Sequence, residues 1–197
     1  MHISLIQAVL IAIFYYLSWS PWLTYVGFFT WNRPLLAGFV TGIILGDPVQ
    51  GAIIGAGINM IYLGFISAGG AQMGDPAFAG YVGTALAIAS KLDVSTAMAI
   101  AVPLGTVATV LWIGKMTVNS FFAHWADREV QKGNVDRVAF INIVPPQILL
   151  FAMSFIPALL VVYFGPNAID GMLEVMNDNV LHVFNVIGAM LPALGIA

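Results

Sequence analysis

Charged side chains are missing from long runs of this 197-residue chain, and that distribution limits its possible folds more than any motif does. Neutral stretches cover residues 1–32, 48–74, 76–90, 94–114, 138–169 and 179–197. A helix rises about 1.5 Å per residue and the hydrocarbon layer is about 30 Å thick, so one crossing needs about 20 apolar residues. Segments 3–29, 49–68, 94–114 and 138–165 reach that length, 179–197 just reaches it, and Pro34–Leu45 and 77–90 fall short. Twelve helical residues cover only about 18 Å, which suits a half-membrane or re-entrant element. The chain therefore reads as five to seven membrane elements. Composition agrees: 60% of residues are hydrophobic and 8% are charged, whereas a soluble domain is about one-quarter charged.

Several classes fall away. Six basic residues cannot make a nucleic-acid footprint, and with no cysteine there is no disulfide, thiolate nucleophile or Cys-ligated metal. His2, His124 and His182 are scattered, and neither an HExxH metal motif nor a glycine-rich phosphate loop occurs. No catalytic residue, metal or cofactor is expected. Met1–Trp31 lacks a basic n-region and leads into further apolar chain, so it reads as a retained membrane element.

Prolines punctuate the long segments. Pro21, Pro103, Pro145, Pro146 and Pro157 each remove an amide donor and crowd the carbonyl one turn back. The freed backbone must be buried in protein or line a wet cavity; a single proline reads mainly as a kink, and Pro145–Pro146, with Asn142 and Gln147 beside it, reads equally as a kink or a functional break. Gly38, Gly42 and Gly46, then Gly51 and Gly55, recur every four residues and put small side chains on shared helix faces for close packing. Gly46–Asp47–Pro48 and Gly74–Asp75–Pro76 form a short internal echo, in which Asp caps a helix that Pro begins.

The most polar region runs from His124 to Arg137 and, with Lys115, holds four of the six basic residues, which places it on the cytoplasmic side. Segment 117–132 is expected to lie along the interface. Tyr15, Tyr16, Trp19, Trp22, Tyr25 and Trp31 read mainly as an aromatic interface belt. Asn59 stands in an apolar run and must find a polar partner or solute in the bundle interior. Residues 67–76 place Gln72 and Asp75 among small residues that permit irregular backbone. Residues 59–75 are thus the leading candidate site for a neutral hydroxylated ligand. An ion- or proton-coupled secondary carrier would also use discontinuous helices, and a noncatalytic assembly protein would use the glycine faces alone.

The run WNRPLLAGFVTGIILGDPVQGAIIGAGINMIYLGFISAGG, residues 31–70, resembles the IIC membrane subunit of the mannose/fructose/sorbose family of the bacterial sugar phosphotransferase system. The likeness continues through the His124–Asp127 loop and the late VIGAMLPALGIA stretch, and rests on the ordered combination of Arg33–Pro34, Gly46–Asp47 and the Gly55 to Gly64 block. The resemblance implies an all-α polytopic membrane protein with broken transmembrane helices and re-entrant hairpins, forming one IIC membrane domain over residues 1–197. Full family members continue with further C-terminal segments that this chain is expected to lack. It also implies a sugar-translocating permease subunit, not itself an enzyme, in the bacterial inner membrane. Its partners would be a IID membrane subunit and IIA and IIB phosphocarriers or a fused IIAB, with the IIC–IID unit forming a homo-oligomer. Asn59, Gln72, Asp75 and Arg33 are the expected sugar contacts. Mannose-branch relatives carry Glu where this chain has Asn59, and carboxylates where it has the neutral stretch Trp19–Asn32. That departure implies a substrate other than plain mannose: an amino sugar, an N-acetylated sugar or a uronate-containing disaccharide.

Overall fold

The computed structural model describes residues 2–23, 26–64, 72, 74–175 and 177–196, and every regular element among them is helical. Helix α1, Leu5–Trp19, opens with a capping box in which Ser4 and Gln7 exchange side-chain bonds with each other's backbone amides. It ends at Trp19 because Pro21 supplies no amide, and the chain passes through a 3-10 turn, Pro21–Leu23, and a π turn, Gly27–Trp31.

Helices α2, Pro34–Leu45, and α3, Pro48–Tyr62, form a hairpin. Its turn depends on Gly46, which sits at φ 88° with nothing within 4 Å of where a Cβ would be. Gly46 is therefore a left-handed helix cap rather than part of the packing face. The other four glycines do pack: a Cβ on Gly38 would lie 2.5 Å from the Gly51 carbonyl oxygen and 2.7 Å from the Gly55 Cα. Both Asp–Pro pairs behave as the sequence implies, with Asp47 accepting from the Gln50 amide and Asp75 from the Phe78 amide.

Helix α4, Pro76–Ala89, contains a π turn at Ala79–Gly83 and runs through the centre of the molecule. Ala77, Phe78, Ala79, Tyr81, Val82, Ala85 and Leu86 are all buried, so this short helix is apolar on every side because it has neighbours on every side. Gly80 and Gly83 admit Pro34 and Ala101 respectively at backbone distance.

Helices α5, Val94–Gln131, and α6, Val135–Val175, have 38 and 41 residues and are long and apolar enough to cross a membrane. Both are continuous. Breaks at Pro103 and at Pro145–Pro146 are absent, because the helices carry these prolines internally together with Pro157 and Pro166. Each proline costs one hydrogen bond and a local distortion, and helices this long retain their bonding on either side. Segment 117–132 is likewise not a separate interfacial helix but the continuation of α5. The polar loop contracts to a tight turn. Buried Glu129 accepts from Lys132 at 2.9 Å and from Asn134 at 2.9 Å, and Arg137 stands 3.8 Å away.

Helix α7, Asp178–Ile196, packs on α5 and α3. Gly188 lies directly against the Ser95 carbonyl, and the Asn185 amide faces the Asp93 carboxylate that caps α5. The aromatic belt is only partly realised. Trp22 is exposed, but Tyr15 is buried, Trp31 stacks on Phe14, and Trp19 meets Trp112; Tyr25 lies outside the described residues.

Candidate functional site

Asp75 is the polar centre of the bundle. At 3% exposure it is among the few buried ionisable side chains, and its two oxygens accept from three donors. Its Oδ1 accepts from the Phe78 amide at 2.9 Å as a helix cap. Its Oδ2 accepts from the Tyr15 hydroxyl at 2.6 Å and from the Trp19 indole Nε1 at 3.2 Å, both from α1. Its own amide donates to the Gly105 carbonyl of α5 at 2.8 Å. This approach requires a glycine, since a Cβ at Gly105 would lie 2.9 Å from the Asp75 carbonyl oxygen. Asp75 thus ties three helices together, α1 to α4 through its carboxylate and α5 through its backbone amide.

Trp19, held in this way, forms one wall of a cleft between the end of α1 and the long hairpin. Its ring lies 5.0 Å from that of Trp112 at an angle of 41°. The Lys115 Nζ sits 3.9 Å from the Trp112 ring centre and 5.2 Å from that of Trp19. Trp112, Lys115 and Asn119 share one face of α5 because they follow a three- and four-residue spacing. Gln147, equally far from the turn on the antiparallel α6, stands with them in the cleft wall alongside Pro146. The cleft holds about 370 Å³. Asn119 Oδ1 and Gln147 Oε1 are both buried and lack hydrogen-bond partners among the described residues. Buried amide oxygens without partners are costly, and the residues that carry them line the cleft. Beneath the cleft lies a small void of about 10 Å³ bounded by Tyr15, Asp75, Trp112, Lys115 and Ser154, the size of a single water.

The four sequence-selected residues do not converge. Asp75 underlies this cleft, whereas Arg33 and Asn59 line a second cavity of about 580 Å³ with Phe29, Thr30, Leu36 and Phe39. Asn59 does not point into the core of the chain; it is half-buried on a face whose neighbours Phe39 and Leu63 are exposed. Among the described residues neither the Arg33 nor the Asn59 side chain has a hydrogen bond or ion pair. Gln72 is half-buried with an unpartnered Oε1, and most of the surrounding stretch, residues 65–71 and 73, lies outside the described residues. Trp112, Lys115 and Asn119 did not stand out in the sequence as a site. The signal was present as a polar stripe at helical spacing emerging from an apolar run, but Lys115 reads first as a mark of topology.

Comparisons with known proteins agree with the architecture. A family model described as the PTS system sorbose-specific IIC component matches residues 5–197. The sorbose-specific EIIC component of Lacticaseibacillus casei is 32% identical over 203 residues, spanning 100% of this chain and 70% of that protein. The mannose-specific EIIC component of Escherichia coli K12 is 34% identical over 171 residues, spanning 86% of this chain and 64% of that protein. The cryo-electron-microscopy structure of the mannose transporter ManYZ with microcin E492 contains a chain that superposes with a TM-score of 0.74 at 32% identity, covering 99% of this chain and 78% of that one.

Proposed function

Because the chain belongs to the sorbose-type family of phosphotransferase-system IIC components, whose members are multi-pass membrane transport subunits, we propose that it translocates a sugar across the bacterial inner membrane. In this reading it binds the sugar from outside and presents it to a IIB phosphocarrier, itself charged by IIA. The observation that carries the reading is the cleft of two indole faces and two buried, unpartnered amide oxygens. A pyranose ring presents apolar C–H faces to the indoles while its hydroxyls hydrogen-bond with the Asn119 and Gln147 amides. Apolar walls with a few placed polar groups are the usual construction of a small-molecule site. Phosphorylation adds charge and prevents return, so uptake is directional. The phosphoryl donor belongs to the partners, and the chain supplies binding and exposure.

Residues 1–197 act as one membrane domain, and a IID subunit completes the permease. The α2–α3 hairpin serves as its re-entrant element, since 12 and 15 helical residues cover about 18 and 22 Å, less than the hydrocarbon thickness of about 30 Å. A second subsite is supported by the Arg33 and Asn59 side chains, which line their own cavity with no hydrogen bond or ion pair among the described residues.

Uptake of labelled sugar by cells carrying the permease tests both. Gln147→Ala is expected to raise KM about tenfold, the value of one lost hydrogen bond of about 1.5 kcal/mol. Unchanged kinetics for Gln147→Ala and Asn119→Ala, with a large loss for Asn59→Ala at equal membrane abundance, would move the sugar to the α2–α3 cavity. Unchanged kinetics in all three variants would exclude both sites.

A further inference from the structure

The cleft contains one group that a neutral sugar does not use. Lys115 follows directly on the neutral stretch 94–114 and is half-buried. No carboxylate among the described residues lies within 4.0 Å of its Nζ. The acidic group nearest the cleft is Asp75, which shares the small void beneath it with Lys115 and whose oxygens accept from Tyr15, Trp19 and the Phe78 amide. The ammonium is instead held over the two indole rings, a contact that fixes its position and leaves its donors unspent. One turn further along the same face is Asn119, and across from it Gln147, both in the cleft lining.

We infer that this cleft selects a sugar bearing an oxyanion, with Lys115 as the specificity-determining residue. This rests on the cleft being the sugar site. The Asn119 and Gln147 amides take the hydroxyls, the indoles cover the ring face, and the ammonium takes the anion. A strongly hydrated cation kept in a partly dry cleft without a direct ion pair, its nearest carboxylate Asp75 lying across a water-sized void, is stabilised by an anionic ligand and gains little from a hydroxyl. The oxyanion has two possible sources: the carboxylate of a sugar acid entering from outside, or the phosphate of the phosphorylated product before release. Of the substrates left open by the sequence, the first corresponds to the uronate-containing one.

The test is quenching of intrinsic tryptophan fluorescence in the full chain, purified into nanodiscs of neutral phosphatidylcholine, on titration with glucose, glucuronate and glucose 6-phosphate. An anionic sugar is expected to bind about ten- to a hundredfold more tightly than glucose, the range of a charge-assisted hydrogen bond. Whether glucuronate or glucose 6-phosphate shows the preference identifies the source of the anion. Lys115→Gln is expected to reduce the ratio of anionic to neutral affinity to about one, and Lys115→Arg to preserve it. Equal affinity for all three ligands in the unaltered chain overturns the inference and leaves the sugar site standing. Loss of the preference when anionic phosphatidylglycerol replaces the neutral lipid assigns Lys115 to headgroups and also overturns it. No response to any of the three sugars removes the sugar site itself. Because the preference is read first in the unaltered chain, the test does not depend on the variants folding.

Discussion

Asp75→Asn is expected to lower the thermal stability of the purified protein by about 1–3 kcal/mol, the cost of a buried donor left facing a donor, and to abolish sugar-induced fluorescence quenching. The change is nearly isosteric, so the effect comes from hydrogen-bond directionality. The carboxylate receives two donors on Oδ2, from Tyr15 and Trp19, and one on Oδ1, from the Phe78 amide. Asparagine has one oxygen. With its oxygen in the Oδ2 position its NH₂ confronts the Phe78 amide, and with the oxygen in the Oδ1 position the NH₂ confronts the Trp19 indole. The Tyr15 hydroxyl can turn to accept, but an N–H cannot. Asp75→Ala strands all three donors and is expected to cost about 3–5 kcal/mol. Tyr15→Phe, which leaves the carboxylate with its two N–H donors, is expected to cost about 1 kcal/mol. Thermal unfolding of the three variants in one detergent gives the order directly. An Asp75→Asn protein as stable as the unaltered chain would show that Asp75 does not organise the bundle.

The second large effect is expected at Gly38. A Cβ there meets the Gly51 carbonyl oxygen at 2.5 Å and the Gly55 Cα at 2.7 Å, both of them backbone atoms that cannot rotate away. Gly38→Ala must therefore push α2 from α3, and overpacking of this kind costs about 1–3 kcal/mol and occasionally more. The displacement does not remain local, because Pro34 at the head of α2 packs on Gly80 of the central helix. Gly46→Ala provides the contrast. It meets no atom within 4 Å but must adopt φ 88°, and is expected to cost only about 1 kcal/mol through backbone strain. A thermal midpoint for Gly38→Ala at or above that of Gly46→Ala would contradict the close-packed hairpin.

The features legible in the sequence were those fixed within a few residues. Asp47–Pro48 and Asp75–Pro76 announced helix starts because a cap bonds three positions ahead, and they formed as read. The glycine spacing announced close helices, although it could not separate Gly46, which makes a turn, from Gly38 and Gly42, which make contacts. The second duty of Asp75 was not legible. Its partners Tyr15 and Trp19 lie 60 and 56 residues away, and both resemble interface anchors in isolation. Prolines misled for a different reason. Pro103 and Pro145–Pro146 carry a real local penalty, but helices of 38 and 41 residues packed along one another absorb it without interruption. Asn59 was assigned to the interior on the sound premise that a membrane-depth amide needs a partner. Within this chain it instead lines a cavity on the α2–α3 face, a location that the sequence gives no means to distinguish.

The central claim is that the chain carries a sugar to a phosphoryl donor and does not move it by coupling to an ion. Membrane vesicles containing the chain and the proposed IID partner, with phosphorylated IIB enclosed and a labelled sugar outside, test it most directly. The expected result is labelled sugar phosphate inside, in amounts that follow consumption of the phosphorylated carrier and are unaffected when ionophores collapse ion gradients. Free sugar accumulating inside without the phosphocarrier, and lost when the gradients are collapsed, would contradict the account.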